Sequence, residues 1–279
     1  FKEIIKYFKG TEMQKFLEKL QKNEINLSYK PQQVELIPKQ FNGTVKELLE
    51  KIDQKNMFNE VVEKLSLKHF LDTNIRKVSG GELQRVAIAA AVLKDSNLIL
   101  FDEPSSYLDI KQRIKVSNYI RSLSNENNSI LVIEHDLIIL DFITELLNIM
   151  YGKDSVYGIV SGIKNTREGI NSFLEGFLKE ENVRFRSNAI KFEASQDKVK
   201  GIPIELISWK DIELKLGNFV LKSPEGYLNK KEIVGILGEN GTGKSTFVKV
   251  LAGVQKLNKG KINSEIKVSY KPQYLDFSD

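Results

Sequence analysis

Apolar positions along the chain switch between helical and strand spacing, and each change of period marks an element. Ile4, Ile5 and Phe8 stand at helical spacing before Lys9-Gly10 breaks the run. Thr11 with Gln14 makes a capping box for a second helix, whose Met13, Phe16, Leu17 and Leu20 form one apolar stripe. The pattern predicts a helix-loop-helix over 1–22. Residues 25–29 read as a strand running into Lys30-Pro31-Gln32. Thr44 and Glu47 form another capping box, followed by Val45, Leu48, Leu49 and Ile52 on one face, and Phe58, Val61, Val62 and Leu65 repeat the stripe. Such stripes are expected to bury that side in a core. An alanine-rich helix opens at Ser79, and residues 98–101 form a short buried strand ending in Asp102-Glu103. A helix is expected over 110–123, then a strand over 129–134 whose apolar run suits a sheet covered on both faces, then His135-Asp136 and a helix through Leu146.

The pattern changes after Met150. Glycine and turn residues follow, and 191–203 are polar and unpatterned, the best linker in the chain. Strand patterning resumes near Ile204. Residues 232–237 (EIVGIL) read as a strand before a glycine-rich turn and a helix over 246–251, and 265–270 as another strand. Ser28-Tyr29-Lys30-Pro31-Gln32 recurs as Ser269-Tyr270-Lys271-Pro272-Gln273, after a predicted strand each time, which marks equivalent points of two related domains. The division expected is a first domain over 1–150, a hinge and linker over 151–203, and the N-terminal part of a second domain over 204–279.

Composition narrows the chemistry. The 279 residues hold enough apolar content, 41%, for real cores. No cysteine is present, which excludes a disulfide framework, a thiolate metal site or a cysteine nucleophile in this chain. A net charge of +5 permits contact with RNA or a membrane surface without requiring it. The apolar runs are too short to cross a bilayer, which takes about 20 residues, and nothing reads as a signal peptide. The chain reads as a cytoplasmic segment of something longer.

The candidate chemistry lies in two places. Gly238, Glu239, Asn240, Gly241, Thr242, Gly243, Lys244 and Ser245 fit G-x-x-x-x-G-K-[ST] between a predicted strand and a helix opening at Thr246, the context that identifies a P-loop. Its amides would curl round phosphates, Lys244 would reach the β- and γ-phosphates, and the Ser245 hydroxyl would join a Mg²⁺ shell. Phe219 is placed to stack on an adenine face, with Trp209 as the alternative and core packing open for both. Ser79, Gly80, Gly81 and Glu82 open a helix whose bare N-terminal amides suit an anion, although serine and glycine there also serve as plain caps. Asp102 and Glu103 stand at the C-terminal edge of a strand, where ligands of open α/β sheets bind. One can support Mg²⁺ and the other orient a water. His135, one of two histidines, ends the neighbouring strand; His69 has no such context. Gln32 and Gln273 follow strand ends, where an amide oxygen could reach Mg²⁺ or the attacking water.

The run SGGELQR with FDEPSSYLD closely resembles the signature motif, Walker B and D-loop of ABC-type ATPases. FKGTEMQ, YKPQ in both halves, VIEHDLIILD, YGKDSVYGIVS, REGINSFLEGFLKEENVRFR and GILGENGTGKSTF are similar, more narrowly, to the twin-domain subfamily E, the RNase L inhibitor or ribosome-recycling group. The resemblance implies an α/β P-loop NTPase fold, the ATP-binding cassette, with a helical signature subdomain and a small antiparallel β part, present as two partial cassettes. It implies ATP and Mg²⁺ as cofactors, with iron–sulfur clusters only in an N-terminal domain this sequence lacks. Ser79, Gly80, Gly81 and Glu82 would touch ATP held by the opposite cassette, with Asp109 as the D-loop aspartate. Asp102 would support Mg²⁺, Glu103 would be the catalytic base and His135 the switch histidine. Ribosomal subunits and translation factors would be the partners, with rRNA within reach of the helix-loop-helix and the hinge, where Arg184 and Arg186 are candidates for phosphate or inter-domain contacts; no membrane is implied. The first cassette's P-loop would fall before Phe1, and the second cassette stops before its own signature and Walker B. The function implied is ATP-driven closure that splits ribosomal subunits. The alternative is the ATPase subunit of a membrane transporter, against which the helix-loop-helix and the long hinge argue.

Overall fold

The computed structural model describes residues 2–22, 24–191, 204–263 and 269–271. The chain divides into two compact units, Phe1–Lys191 and Phe192–Asp279. The first is built on a three-stranded parallel sheet in the order β1 (Leu27–Lys30), β2 (Leu98–Asp102), β3 (Ser129–Ile133). Tyr29 pairs with Leu100 and Lys30 with Phe101, and Phe101 in turn pairs with Val132. Side chains alternate across such strands. Ile99 and Phe101 therefore turn together into a core shared with the helix Gly80–Leu93, where Val86, Ile88, Ala89 and Leu93 are buried. The helices Val45–Ile52 and Phe58–Lys64 close that core through Val45, Leu49, Val61 and Val62. At Thr44 the capping box is complete, its Oγ1 accepting from the Glu47 amide and Glu47 Oε2 accepting from the Thr44 amide.

The opposite face of the sheet departs from the sequence expectation. Leu27, Tyr29, Leu131 and Ile133 are exposed, so β3 is covered on one side only by the described residues. An apolar run on successive strand positions shows that both faces are suited to burial, not that this chain supplies both layers. The helix-loop-helix, Lys2–Tyr7 and Glu12–Gln21, forms as expected, but its stripe does not enter a core: neither helix has a buried residue, and Met13 and Phe16 are exposed. The two helices pack against each other, which is too little surface to hide four apolar side chains. The box at Thr11 is half made: Thr11 accepts from the Gln14 amide, while the Gln14 side chain takes the Gly10 amide instead.

Beyond β3 the first unit continues with the helix Leu137–Ile143, the hairpin Met150–Lys153 with Tyr157–Val160, and the helix Thr166–Glu175. Arg186 stacks over Phe173 and Phe185 and donates to the carbonyls of Phe173 and Leu174, so its guanidinium is committed within the fold and not held out for a phosphate. Arg184, exposed, lies over the Phe177 ring.

In the second unit the long strand Glu205–Leu216 pairs antiparallel with Phe219–Ser223, Gly226–Asn229 and Lys259–Asn263. Ile212 and Leu214 from its inner face pack with Val250 and Phe247 of the helix Lys244–Leu251. The expected strand over 232–237 is absent. Ile233, Val234, Ile236 and Leu237 are all exposed, because no strand among the described residues lies alongside to take their backbone hydrogen bonds. Residues 265–268 of the strand expected over 265–270, the linker over 191–203 (Lys191 apart) and Gln273 lie outside the described residues, and Ser269 and Tyr270 are not in a strand.

Ile88 is fully buried in the first core. Ile88→Ala should lower unfolding free energy by about 3 kcal/mol, measured by urea denaturation; a loss under about 1 kcal/mol would mean that the helix does not carry this core.

Candidate functional site

The first constellation forms where the parallel strands end. Their register brings Gln32, Asp102-Glu103 and Glu134-His135 to one edge of the sheet. Glu103 is the focus. Its Oε1 accepts from Gln32 Nε2 at 2.8 Å and stands 3.0 Å from His135 Nε2, while Oε2 accepts from Ser106 Oγ at 3.1 Å. Burial pushes its carboxyl up, but the hydrogen bonds from Ser106 and Gln32 and the imidazole of His135 outweigh that and hold it below the usual carboxylate value. Glu103 is thus an ionised acceptor at neutral pH. It lines an open cleft of about 450 Å³ with Gln32, Gln33, Ser106, Tyr107 and Arg113. Asp102 lies beside it, its Oδ2 accepting from Tyr29 Oη at 3.0 Å.

Several contributors were not visible in the sequence. Lys30 is fully buried, and its Nζ donates to the carbonyls of Asp102 at 2.7 Å and Glu103 at 3.2 Å. Gln84, from the helix Gly80–Leu93, donates to the same Glu103 carbonyl at 2.7 Å. Glu134 Oε1 accepts the Ser105 amide at 2.8 Å and fixes the turn after Glu103. Arg113 joins the Leu108 carbonyl at 2.9 Å to Asp136 Oδ2 at 3.1 Å. The available signal was Lys30 itself: a lysine in a strand whose alternation pairs it with Ser28, leaving the apolar Leu27 and Tyr29 to face outward.

The stretch from Ser79 to Asp109 closes on itself. Ser79 and Glu82 form a complete capping box, with the Ser79 amide donating to Glu82 Oε2 at 2.7 Å. The cap reading and the anion reading of this turn therefore coexist, because the first-turn amides of the helix still point outward. Gly81 packs closely on the next loop: a β-carbon there would lie 3.0 Å from the Tyr107 carbonyl oxygen. Asp109 caps the next helix, Ile110–Ser122, by accepting the Gln112 amide at 2.9 Å. Tyr107 Oη donates to Glu35 Oε1 at 2.6 Å, tying this loop to the segment after Gln32. His69 is exposed and apart from all of this.

The second constellation is the loop 238–245. Gly241 and Gly243 adopt left-handed conformations, φ 78° and 92°, which only glycine takes without strain. The helix proper starts at Lys244, and the Phe247 amide donates to the Gly243 carbonyl at 2.8 Å. Lys244 Nζ folds back onto the carbonyls of Gly238 at 2.7 Å and Glu239 at 2.6 Å, filling the cradle a phosphate would take. Thr242 Oγ1 donates to the Glu239 carbonyl at 2.8 Å, and Ser245 sits on the exposed first turn next to Thr246. A β-carbon on Gly243 would lie 2.6 Å from Phe219 Cζ, so that ring abuts the loop. Trp209 instead packs edge-on against Phe247 and donates to Ser223 Oγ at 2.9 Å. Of the two aromatic candidates, Phe219 is the one beside the loop and Trp209 belongs to the core.

Known proteins share this sequence and fold. The model of the family described as ABC transporter matches residues 3–106 and 221–275. The chain is 50% identical over 278 residues to an uncharacterized ABC transporter ATP-binding protein of Methanocaldococcus jannaschii, covering 99% of this chain and 46% of that protein. It is 40% identical to the translation initiation factor RLI1 of Saccharomyces cerevisiae, with 99% and 46% covered. Among solved structures it is similar to a crystal structure of the complex of archaeal ribosomal stalk protein aP1 and archaeal ribosome recycling factor aABCE1. There the TM-score is 0.87 at 48% identity, over 98% of this chain and 53% of that one. A model of ribosome-bound archaeal Pelota and ABCE1 gives a TM-score of 0.91 at 47% identity, over 98% and 46%. The chain spans about half the length of the curated relatives it matches. Among the described residues no helix is long and apolar enough to cross a membrane.

The Glu103 carboxyl, held below its unfolded value, contributes stability that is complete above that unfolded value and lost as pH falls through the folded one. Gln32→Ala removes one of the hydrogen bonds that lower it, so Glu103 should titrate at higher pH in that variant, followed by carbon NMR of labelled carboxyls. A midpoint that stays put or falls would contradict the geometry.

Proposed function

Because the chain belongs to the ABC family of P-loop ATPases, and within it to the ABCE1/RLI1 subfamily, we propose that it supplies parts of two ATP sites in a protein that couples ATP hydrolysis to the splitting of ribosomal subunits. The observation that carries the hydrolytic part is the convergence of Gln32, Ser106 and His135 on the ionised Glu103 carboxylate at a sheet edge. A carboxylate so placed accepts a proton from water as its oxygen attacks the γ-phosphorus of ATP, and ADP leaves from the far side. His135 and Gln32 then hold that carboxylate, and the water beside it, in line. Mg²⁺ fits the donor set: the Asp102 carboxylate and the Gln32 amide at one site, and the Ser245 hydroxyl at the other, are hard oxygens of the kind that share this ion with phosphates. Bound there, the ion would neutralise charge on the phosphate oxygens.

On this reading Gly238, Gly241, Gly243 and Lys244 grip one ATP, with Phe219 against its adenine. The lysine exchanges its own loop's carbonyls for β- and γ-phosphate oxygens. The turn Ser79-Gly80-Gly81-Glu82 and Asp109 serve the nucleotide gripped by a P-loop on an opposing cassette. ATP drives closure only if it binds the closed arrangement better than the open one. Ribosomal partners, a cytoplasmic place, and rRNA contacts through the helix-loop-helix and residues 151–186 rest on the similarity to RLI1 and to the archaeal recycling factor.

In the full-length protein, Glu103→Gln should leave ATP binding within a few-fold and cut hydrolysis by about a hundredfold or more, while Lys244→Ala should weaken nucleotide binding itself. The full-length protein should shift ribosomes toward subunits on sucrose gradients in the presence of ATP. Sedimentation with membranes instead of ribosomes would favour the transporter reading, and undiminished turnover by Glu103→Gln would end the assignment of the base. The 279-residue chain alone, carrying neither site whole, should not release phosphate from ATP; clear Lys244-dependent release would overturn that division of the sites.

A further inference from the structure

Glu103 stands in a backbone conformation that needs holding. Its φ is +48°, in the left-handed region, where a residue with a long side chain sits at a cost of about 1 kcal/mol or more. Its peptide groups are gripped from both ends. The amide donates to the Ile133 carbonyl at 2.9 Å, and the carbonyl accepts from Gln84 Nε2 at 2.7 Å and from Lys30 Nζ at 3.2 Å. Lys30 also takes the Asp102 carbonyl at 2.7 Å, so one ammonium spans the two peptides that carry both carboxylates.

A fully buried ammonium is a poor way to gain stability, since withdrawing it from water costs several kcal/mol that a methionine of similar length would not. Burial pulls the Lys30 pKa down to about 8, against the opposing pull of the Asp102, Glu134, Glu103 and Glu35 carboxylates. What lysine offers here and an apolar side chain does not is a donor reaching carbonyls that point inward beneath the site. We infer that Lys30 is a positioning residue: with Gln84 it fixes the left-handed Glu103 peptide and so aims the Glu103 carboxylate at the cleft. The inference rests on the reading of Glu103 as the base.

Gln84 adds direction to this grip. It belongs to the helix that begins at Gly80, so a shift of that helix pulls on the Glu103 carbonyl directly. Lys30 anchors the same carbonyl to β1.

The test compares Lys30→Met, Glu103→Gln and Ile88→Ala in the full-length protein. Lys30→Met should lower kcat between about tenfold and about a hundredfold, the cost of a reacting group displaced by about an ångström, with ATP affinity within twofold. Amide exchange over 103–108 should speed up in the same variant. Ile88→Ala destabilises the same core without touching the Glu103 carbonyl, and should keep both kcat and that local exchange pattern. A merely structural lysine would lose activity only in step with lost folded protein, as Ile88→Ala does. Unchanged kcat and unchanged exchange in Lys30→Met, with Glu103→Gln inactive, would overturn the positioning role alone. Full turnover by Glu103→Gln would overturn the base on which it rests. If Lys30→Met does not fold, Lys30→Gln, polar but shorter, takes its place with the same expected and overturning results.

Discussion

Phe101 pairs with Lys30 on one side and Val132 on the other, and that parallel register decides where every polar group of the first site stands. Burying Phe101 and Ile99 against the helix Gly80–Leu93 sets the rotation of β2, so Asp102 must turn away from the core at the strand's end and Glu103 must follow it out. A one-residue slip would exchange the faces, hiding the carboxylate and exposing the phenylalanine. The hydrophobic contact comes first in the causal order. The cluster of Gln32, Glu103, Ser106 and His135 is what that contact leaves at the sheet's edge.

The same contact explains why two sets of residues assigned to different nucleotides lie within one short stretch. The helix that packs on Phe101 begins at Ser79-Gly80-Gly81-Glu82, and it reaches the loop after Glu103 at two points. Gly81 lies against the Tyr107 carbonyl, and Gln84 holds the Glu103 carbonyl. The loop is tied on its far side through Tyr107 to Glu35 and through Arg113 to Asp136. A displacement of the helix N-terminus cannot be absorbed by slack, because each of these contacts is direct and the core beneath is close-packed. Such a network becomes a route for coupling only if it has two discrete arrangements that both nucleotides bias. The left-handed Glu103 and Tyr107, φ 48° and 64°, are the residues most ready to supply a second one, since relaxing either would release backbone strain.

How far the chain could be read in advance follows from the range of the interactions involved. The capping box at Thr44, the helix start at Ser79, the glycine turn of the P-loop and the strand ending at Asp102 are set by residues a few positions apart, and all were legible. Lys30 was not, because its partners lie 72 and 73 positions along the chain and its burial reverses the polarity expected of its strand. The stripe of Met13 and Phe16 was legible as a helix but not as an exposed one, since periodicity reports a face and not what covers it. The run EIVGIL failed as a strand for the same reason. Strand propensity states what a segment can pair with, and pairing needs a neighbour.

That failure sharpens the contrast between the two constellations. The segment before the P-loop is unpaired, yet Gly241, Gly243, the Thr242 hydroxyl and the fold-back of Lys244 already give the loop its turn, and Phe219 already abuts it. The cradle is made of contacts inside a few residues plus one ring from a hairpin, so it forms without the sheet that would hold it. The carboxylate site is built the other way: take away β1 or β3 and Glu103 loses Gln32 and Lys30, or His135 and the Ile133 carbonyl. On the proposed reading, the phosphate cradle is therefore a local feature of the chain and the carboxylate site a tertiary one. A perturbation that displaces β1 or β3 themselves should then weaken hydrolysis well before it weakens the grip on nucleotide.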